Sequence, residues 1–575
     1  MPKHVVIVDV DRLQSYVFAT HRLREIRGAS ALISRVQDDA AGRMERIAGE
    51  GKLEWLTSCG GTLRALVDCD ADRAEQIAVE ASQMFVSDTH LATATAHVVP
   101  VSDEKRVGAA LTQAERKLRE KKNSQVVAPW FPSHPLFRLC DLCGQFPAMR
   151  ESGFAPGETD RWLLCDACLM KSDHVSERQQ SSSTRSSLDG GEATGELGPT
   201  AVETRACRLA AESLAGIWGH VGFTIPEDLG EVVMRRLPTG TEKTAGARDD
   251  DAERRYMGVI YADGNRMGEK WKDLCGQDLT AAQYGELSTS IAGATSEALV
   301  QAVVTTLADR QAEEKGRQPS GDRKVLPFIP LIVGGDDVVC VVPGGWALDV
   351  AHRFCGGFPA HLEECFKSLN TPMSPPGMSA GVVICKHKFP IQLAMDLAKE
   401  LLRSAKTRCR ELGEPDPGAI DFAVVSDDAP RSLASVRESS YKAGTLNLTE
   451  RPYLATDSDG TYLGLAALTG AAGVLLDAGG DAKVPRSKWK RLSELLRDKD
   501  EEKREFAYAE WRAGLSAPQQ CTWAEACKSL KLDPSDAQCA GASSHARVAQ
   551  VDNQPCQFCG LLDLIELLDI LEGGR

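Results

Sequence analysis

The stretch IPLIVGGDDVVCVV, residues 329–342, places two apolar, β-branched runs on either side of Gly334-Gly335-Asp336-Asp337. Such runs read as strands, and glycine between them tolerates the positive φ that a tight hairpin requires. Upstream, GVIYADGNRMGEKW (258–271) reads as a strand ending in Asp263 and then a turn, and 281–310 has a long helical pattern. Downstream, a helix to about residue 369, a strand in MSAGVVIC and a helix in IQLAMDLAKELLRSAK complete the unit.

The same order occurs earlier in the chain. HVVIVDV (4–10) is a short strand followed by a helix-compatible stretch. WLTSCGGTLRALVD is a hairpin around Gly60-Gly61, and LATATAHVVPV and EKRVGAALTQAERKLREKK supply the next strand and helix. We read this as an internal duplication of one α/β unit. Aligned on the letters, Asp9 matches Asp263, Arg12 matches Arg266 and Gly60-Gly61 match Gly334-Gly335. Thr62-Leu63 then stand where the second copy has Asp336-Asp337, so only the second copy has the full set of carboxylates.

A carboxylate at the end of one strand and a pair at a neighbouring hairpin tip converge on one edge of a sheet. There they can hold two divalent cations about 3.5–4 Å apart, the arrangement that serves phosphoryl and nucleotidyl transfer. Oxygen-only ligands suit Mg²⁺ or Mn²⁺. Bare glycines keep bulk away from a triphosphate, and Lys386, Lys388, Arg403 and Lys406 follow the hairpin with matching charge, Lys406 foremost. Taken alone, Gly-Gly-Asp-Asp is also a good turn and lysines on a helix are usually solvated. The matching strand that ends in Asp263 favours the metal reading.

Of 18 cysteines, Cys140-x2-Cys143 and Cys165-x2-Cys168 have the spacing of a closed, structural Cys₄ zinc site. No secretion signal favours disulfides instead. Cys556-x2-Cys559 is a third pair; Cys521, Cys527, Cys539 and His545 complete no recognised scheme with it, and we read these as ordinary thiols.

The whole chain, 575 residues, suits about four domains at roughly 150 residues each. With 42% hydrophobic residues it is not globally disordered, and a net charge of −15 argues against coating nucleic acid by bulk charge. No apolar stretch approaches the ~18 residues of a membrane span, so a cytoplasmic location without membrane contact is expected. A polar tract at 172–205 reads as a linker, KWKRLSELLRDKDEEKREF as an exposed charged helix, and the chain beyond about residue 427 as mostly helical.

Together these motifs resemble the large palm-polymerase subunit of type III CRISPR effector complexes, the cyclic oligoadenylate synthase family. VDVDRLQSYVF…LREIRGASALIS, CDLCGQFPA with the second CxxC, IYADGNRMG, VGGDDVV and SAGVVICKHKFP…AKELLRSAK appear in the family's order over about 4–425. The resemblance implies an α+β protein of two ferredoxin-like palm domains, a zinc-binding insertion and a C-terminal all-α domain. The expected boundaries are 1–130 for the first palm with its degenerate hairpin, 131–250 for the zinc-binding insertion and linker, 251–427 for the second palm, and 428–575 for the helical domain. It implies that ATP becomes cyclic oligoadenylate when a target RNA complementary to the guide RNA binds, in antiviral defence. Asp263, Asp336 and Asp337 would be catalytic Mg²⁺ or Mn²⁺ ligands, with Gly334, Gly335, Ser379 and Lys406 binding nucleotide and Ser379 touching adenine. Partners would be ATP, guide and target RNA, and other effector subunits, including the small helical subunit and the guide 5′-end subunit. The first palm starts at residue 4 with no HD nuclease domain ahead of it, so cleavage of single-stranded DNA by this chain is not expected.

Two other readings compete. A non-catalytic scaffold for the guide-RNA complex would gain nothing from clustered carboxylates. A diguanylate-type nucleotide cyclase shares a palm and a Gly-Gly hairpin but usually has an aromatic where Val338 stands, and lacks the duplication and the zinc insertion.

Overall fold

The computed structural model describes residues 2–20, 22–101, 107–124, 138–151, 162–172, 210, 222–224, 229–233, 256–276, 279–313, 323–368, 374–413, 416–425, 432–443, 446–456, 462–532, 547–551 and 554–573. The first unit runs β1 (Lys3–Val10), α1 (Leu13–Val17), α2 (Leu23–Ala48), β2 (Leu53–Cys59), β3 (Thr62–Asp68), α3 (Ala71–Thr89), β4 (Ala94–Val101) and α4 (Val107–Ser124). Its sheet has the order β2-β3-β1-β4, antiparallel throughout, which is the ferredoxin-like βαββαβ arrangement. Alternation along β1 sorts its side chains: Val6, Val8 and Val10 pack with residues of α2 and α3, whereas Val5 and Ile7 pack with α4. Each such buried aliphatic side chain contributes about 1.5–3 kcal/mol.

The hairpin β5 (Arg150–Glu151) and β6 (Leu163–Leu164) belongs to the cysteine insertion. The second unit then repeats the first: β7 (Tyr256–Gly264), α5 (Met267–Cys275), α6 (Ala281–Glu313), β8 (Ile329–Gly334), β9 (Asp337–Pro343), α7 (Ala347–Ser368), β10 (Met378–Lys386) and α8 (Ile391–Leu412). Two more strands, β11 (Ala419–Val425) and β12 (Tyr453–Leu454), extend the sheet to β8-β9-β7-β10-β11-β12. Only β10–β11 is parallel among these pairs.

The duplication reaches fine detail. Arg12 and Arg266, at the start of α1 and α5, both take the left-handed conformation, with φ of 50° and 53°. The β2–β3 and β8–β9 ladders both shift register at the same place, between Trp55 and Thr57 and between Pro330 and Ile332.

The two units pack reciprocally, α6 lying on β2 and α2 on β8, and a shared core joins Val6 and Val8 to Val259, Val339 and Val383. Gln14 donates to the Tyr261 hydroxyl across this boundary. Helix α6 also corrects an expectation, since Ala281–Asp309 is long and apolar enough by length and composition to cross a membrane. However, 61% of its most apolar window is buried inside the protein, as in a core helix.

Beyond the second sheet come α9 (Leu433–Ser440), α10 (Leu465–Asp477), α11 (Arg486–Leu496), α12 (Glu501–Ala513), α13 (Ala517–Ser529) and α14 (Leu561–Gly573), with a four-stranded sheet of Lys442–Ala443, Leu446–Asn447, Gln554–Phe558 and Arg547–Val551 among them, so the region is mainly helical rather than all-α. Trp489, Trp511 and Trp523 form their aromatic centre, with ring centroids 5.2–5.9 Å apart. Helix α14 is tied to the edge of the second sheet by Arg451. Its guanidinium meets Asp563 at 3.1 Å and Glu566 at 2.7 Å and lies 3.8 Å over the Phe422 ring. Tyr453 and Thr449 donate to Asp563 Oδ2, while its buried Oδ1 faces the Arg451 guanidinium and accepts no hydrogen bond. Cys527 and Cys559 are buried and Cys521 is exposed. Cys539, His545 and the Cys556 side chain lie outside the described residues.

Candidate nucleotidyl-transfer site

Strand β7 ends at Asp263-Gly264, and β9 lies beside it with Val338 opposite Ala262, so Asp337 starts β9 next to Asp263. Gly334 and Asp337 close the β8–β9 ladder, leaving Gly335 and Asp336 as the turn, with Gly335 at φ +61°. A methyl group built on Gly264 would lie 3.0 Å from Asp336 Oδ2, so the Asp336 carboxylate rests on the Gly264 backbone. A methyl on Gly335 would meet nothing within 4 Å, so that side of the turn is open. Strand register alone thus gathers Asp263, Asp336 and Asp337 at one sheet edge.

Crowding of like charge is visible in their acidity. Burial, then Asp263 and Asp337, push Asp336 well above the usual carboxylate range, and it is close enough to Asp263 to share a hydrogen bond. Burial, then Asp263, raise Asp337 from 3.8 to about 7, with Lys406 acting against them. These three half-buried carboxylates, which among the described residues are met by the Lys406 ammonium, form an oxygen-only donor set that fits Mg²⁺ or Mn²⁺. Lys406, on α8, donates to the Asp263 carboxylate and to the Gly264 carbonyl, the latter at 3.0 Å.

Ser379 lies opposite Asp263 in the β7–β10 register, but its side chain is fully buried. Its hydroxyl accepts from the Ala419 N–H at 3.2 Å and lies 3.5 Å from the Cys409 sulfur. The structure therefore brings Gly334, Gly335 and Lys406 to the carboxylates, whereas the Ser379 hydroxyl is spent inside the core.

Register also corrects the alignment of the two hairpins. Asp9 pairs with Thr62, and Cys59 pairs with Thr62 across a turn made of Gly60 and Gly61. The equivalents of Gly335, Asp336 and Asp337 are therefore Gly60, Gly61 and Thr62, one residue away from the match made on the Gly-Gly letters. The Thr62 hydroxyl donates to Asp9 Oδ1 at 2.6 Å. Lys122 on α4 completes this first centre, with its Nζ 2.7 Å from Asp9 Oδ2, 3.0 Å from Asp11 Oδ1 and 3.2 Å from the Val10 carbonyl. Sequence reading missed Lys122. Its signal is spacing: Lys122 and Lys406 stand 27 residues beyond Thr95 and Ser379, the β4 and β10 residues opposite Asp9 and Asp263.

The two hairpins touch. A methyl on Gly334 would lie 2.9 Å from the Gly60 Cα, so the first unit's turn sits against the base of the second's. Cys59 engages Ser288 of α6 and the Gly335 backbone from the same side.

The sulfurs of Cys140, Cys143, Cys165 and Cys168 lie within 4.8 Å of one another, and their donor set suits one tetrahedral zinc. A turn with Gly144 at φ +63° returns the chain after the first pair, and the Leu169 N–H bonds to the Cys165 carbonyl in the helix that starts at the second. Lys171 on that helix docks the insertion on the first unit, donating to the Tyr16 carbonyl at 2.7 Å with its ammonium 3.9 Å from the centre of the Tyr16 ring.

Residues 256–411 match the family model of Cas10/Cmr2, second palm domain. No curated protein matches the chain. Among solved structures, Csm1 of T. onnurineus is similar at a TM-score of 0.50 and 14% identity, over 100% of this chain and 70% of that one. Csm1–Csm4 cassettes in complex with cA4 and with AMPPNP are each similar at a TM-score of 0.49, with 13% and 14% identity, again over 100% of this chain and 70% of theirs. At such identities the likeness is one of fold. The segment that matches the second palm domain of Cas10/Cmr2, residues 256–411, holds the Asp263 strand, the Gly-Gly-Asp-Asp hairpin and Lys406.

Proposed function

We propose that the chain is the large subunit of a type III CRISPR effector and converts ATP to cyclic oligoadenylate at the second palm when target RNA binds. The observation that carries this reading is the convergence of Asp263, Asp336, Asp337 and Lys406 at one sheet edge, with an open approach over Gly335. Asp263, Asp336 and Asp337 would hold two Mg²⁺ or Mn²⁺ ions, which when bound lower the pKa of an attacking 3′-hydroxyl and stabilise charge on the α-phosphate and the leaving pyrophosphate. The Gly335 turn lets a triphosphate come close to the backbone, and Lys406 supplies a cation to it. The first palm closes the opposite side through its Gly60 turn and supplies no metal ligands. Successive attacks of a 3′-hydroxyl on an α-phosphate extend the chain, and a final intramolecular attack closes the ring.

Guide and target RNA and the other effector subunits would bind elsewhere on the chain, in the cytoplasm. The structural zinc would hold the cysteine insertion against the first palm.

Replacing both Asp336 and Asp337 by Ala tests the reading. Pyrophosphate release from ATP should disappear while target-RNA binding and assembly persist, because the hairpin keeps its glycines and loses mainly charge. Undiminished release by the variant removes the second palm from the mechanism. No release by wild type in the RNA-bound complex favours the scaffold.

A further inference from the structure

Both palms place a lysine ammonium at the carboxylate that ends their first strand. Lys122 meets the Asp9 carboxylate and the carbonyl of the next residue, Val10; Lys406 meets the Asp263 carboxylate and the carbonyl of the next residue, Gly264. An ammonium among carboxylates and a carbonyl occupies the kind of oxygen cage that a metal cation takes, and makes the same oxygens unavailable to one.

The surroundings of the two lysines differ in one respect that governs their exchange. Asp11 gives Lys122 a second carboxylate at 3.0 Å and is itself held by the Thr93 and Thr95 hydroxyls, at 3.0 Å and 2.9 Å. The residue equivalent to Asp11 in the second palm is Asn265, which is neutral, nearly fully buried and turned to Asp416 at 2.9 Å. Thr62 beside Asp9 donates a hydrogen bond, whereas its equivalent beside Asp263 is the carboxylate of Asp337. The first centre therefore has two carboxylates, one ammonium and hydroxyl donors. Among the described residues the second has three carboxylates and one ammonium, and that ammonium is ion-paired with one carboxylate, Asp263.

We propose that Lys406 is the resident cation of the second palm, displaced from Asp263 when a divalent metal binds and so freed to meet a nucleotide's phosphates, while Lys122 is its fixed counterpart and keeps metal out of the first palm. This rests on the metal reading of Asp263, Asp336 and Asp337 given above. A dication answers the excess of carboxylate in the second centre that one ammonium leaves unbalanced. In the first centre it would have to break two ion pairs and gain no further carboxylate. Exposure does not separate the two lysines, since their side chains are 19% and 25% exposed. A difference in their accessibility on metal binding would therefore report displacement.

The experiment uses the full chain without nucleotide, in EDTA or in saturating Mn²⁺. Lysines are acylated at limiting reagent and quantified peptide by peptide by mass spectrometry, with Mn²⁺ binding measured calorimetrically on the same preparation. Mn²⁺ should raise Lys406 acylation about tenfold, the order by which one charge-assisted hydrogen bond holds the side chain docked and out of reach, and leave Lys122 unchanged. Asp263→Asn should give high Lys406 acylation without metal, and Lys406→Gln should bind Mn²⁺ more tightly than wild type. Bound Mn²⁺ with Lys406 acylation unchanged or lower overturns the exchange, as does an equal rise at Lys122. Failure of wild type to bind Mn²⁺ overturns the metal reading itself and the exchange with it.

Discussion

Replacing Asp337 by Asn should make the metal-free protein more stable while removing the proposed conversion of ATP. Burial, then Asp263, raise the Asp337 carboxyl from 3.8 to about 7. A carboxyl whose folded-state pKa is raised favours folding fully only below its unfolded value, and that advantage is lost as the pH rises through the folded value. Above pH 7 the folded protein therefore carries an ionised group that would rather be in water, at a cost of at most about 4 kcal/mol. The carboxylate is half-buried rather than sealed, so we take about half of that, ~2 kcal/mol, as realised. For a unit of palm size this corresponds to roughly 4–8 °C in apparent Tm. Thermal unfolding in EDTA at pH 8 should show Asp337→Asn melting several degrees above wild type, and the gap should close below about pH 4. Mn²⁺ at pH 8 should raise the wild type more than the variant, because cation binding offsets the repulsion that the variant no longer has. A variant that melts below wild type at pH 8 in EDTA, or a gain that persists undiminished at acid pH, would refute the reasoning.

Elemental analysis should find about one zinc per chain, and stripping it should speed amide exchange in 138–151 and 162–172 without loosening the palm sheets; zinc-free native protein would defeat the Cys₄ assignment. Gly334→Ala places a methyl 2.9 Å from the Gly60 Cα and should cost about 1–3 kcal/mol while separating the hairpins. Pyrophosphate release should then fall more than target-RNA binding does, and an unaffected enzyme would mean the hairpin contact has no bearing on the site. Asp9→Ala should leave more product synthesis than Asp263→Ala, since Asp9 is neutralised by Lys122; equal loss in two folded variants would place catalytic metal in both palms.

The parts of this molecule legible in its sequence are those fixed by neighbours in the chain. The strand ending in Asp263, the Gly-Gly-Asp-Asp turn and the CxxC pairs follow from β-branched runs, turn chemistry and ligand spacing, all within a few residues. Lys122 was missed because its partners, Asp9 and Asp11, lie more than a hundred residues away and only the ladder from β1 to β4, with α4 folded back, brings them together. The hairpins were aligned one residue out of register because letters were matched, whereas cross-strand pairing sets which residue occupies the tip. For Ser379 the resemblance of its SAG segment implies contact with adenine, but on a strand buried on both faces its hydroxyl meets the Ala419 N–H and the Cys409 sulfur. The region beyond residue 427, read as mostly helical, does contain helices, yet Tyr453–Leu454 returns to the second sheet, a pairing that no local periodicity announces.

The geometry also explains how a palm without a carboxylate pair can still have work for its hairpin. If the first copy's hairpin were a remnant, side chains at its tip would be of no consequence to the second copy. Instead Gly60 lies against Gly334, and Cys59 reaches the Gly335 backbone and Ser288, so the first turn defines where the second can lie. Any side chain at Gly60 would project toward Gly334, and its φ of +61° would be strained besides. The two palms have thus divided a single duplicated task. One retains an ion-paired, rigid centre in Asp9, Asp11 and Lys122, and a bare turn used as a stop. The other has Asp336 and Asp337 in place of Gly61 and Thr62, accepts the repulsion that follows, and holds those carboxylates next to the first palm's turn. The packing of α6 on β2 and of α2 on β8 fixes the position of that stop against the second turn.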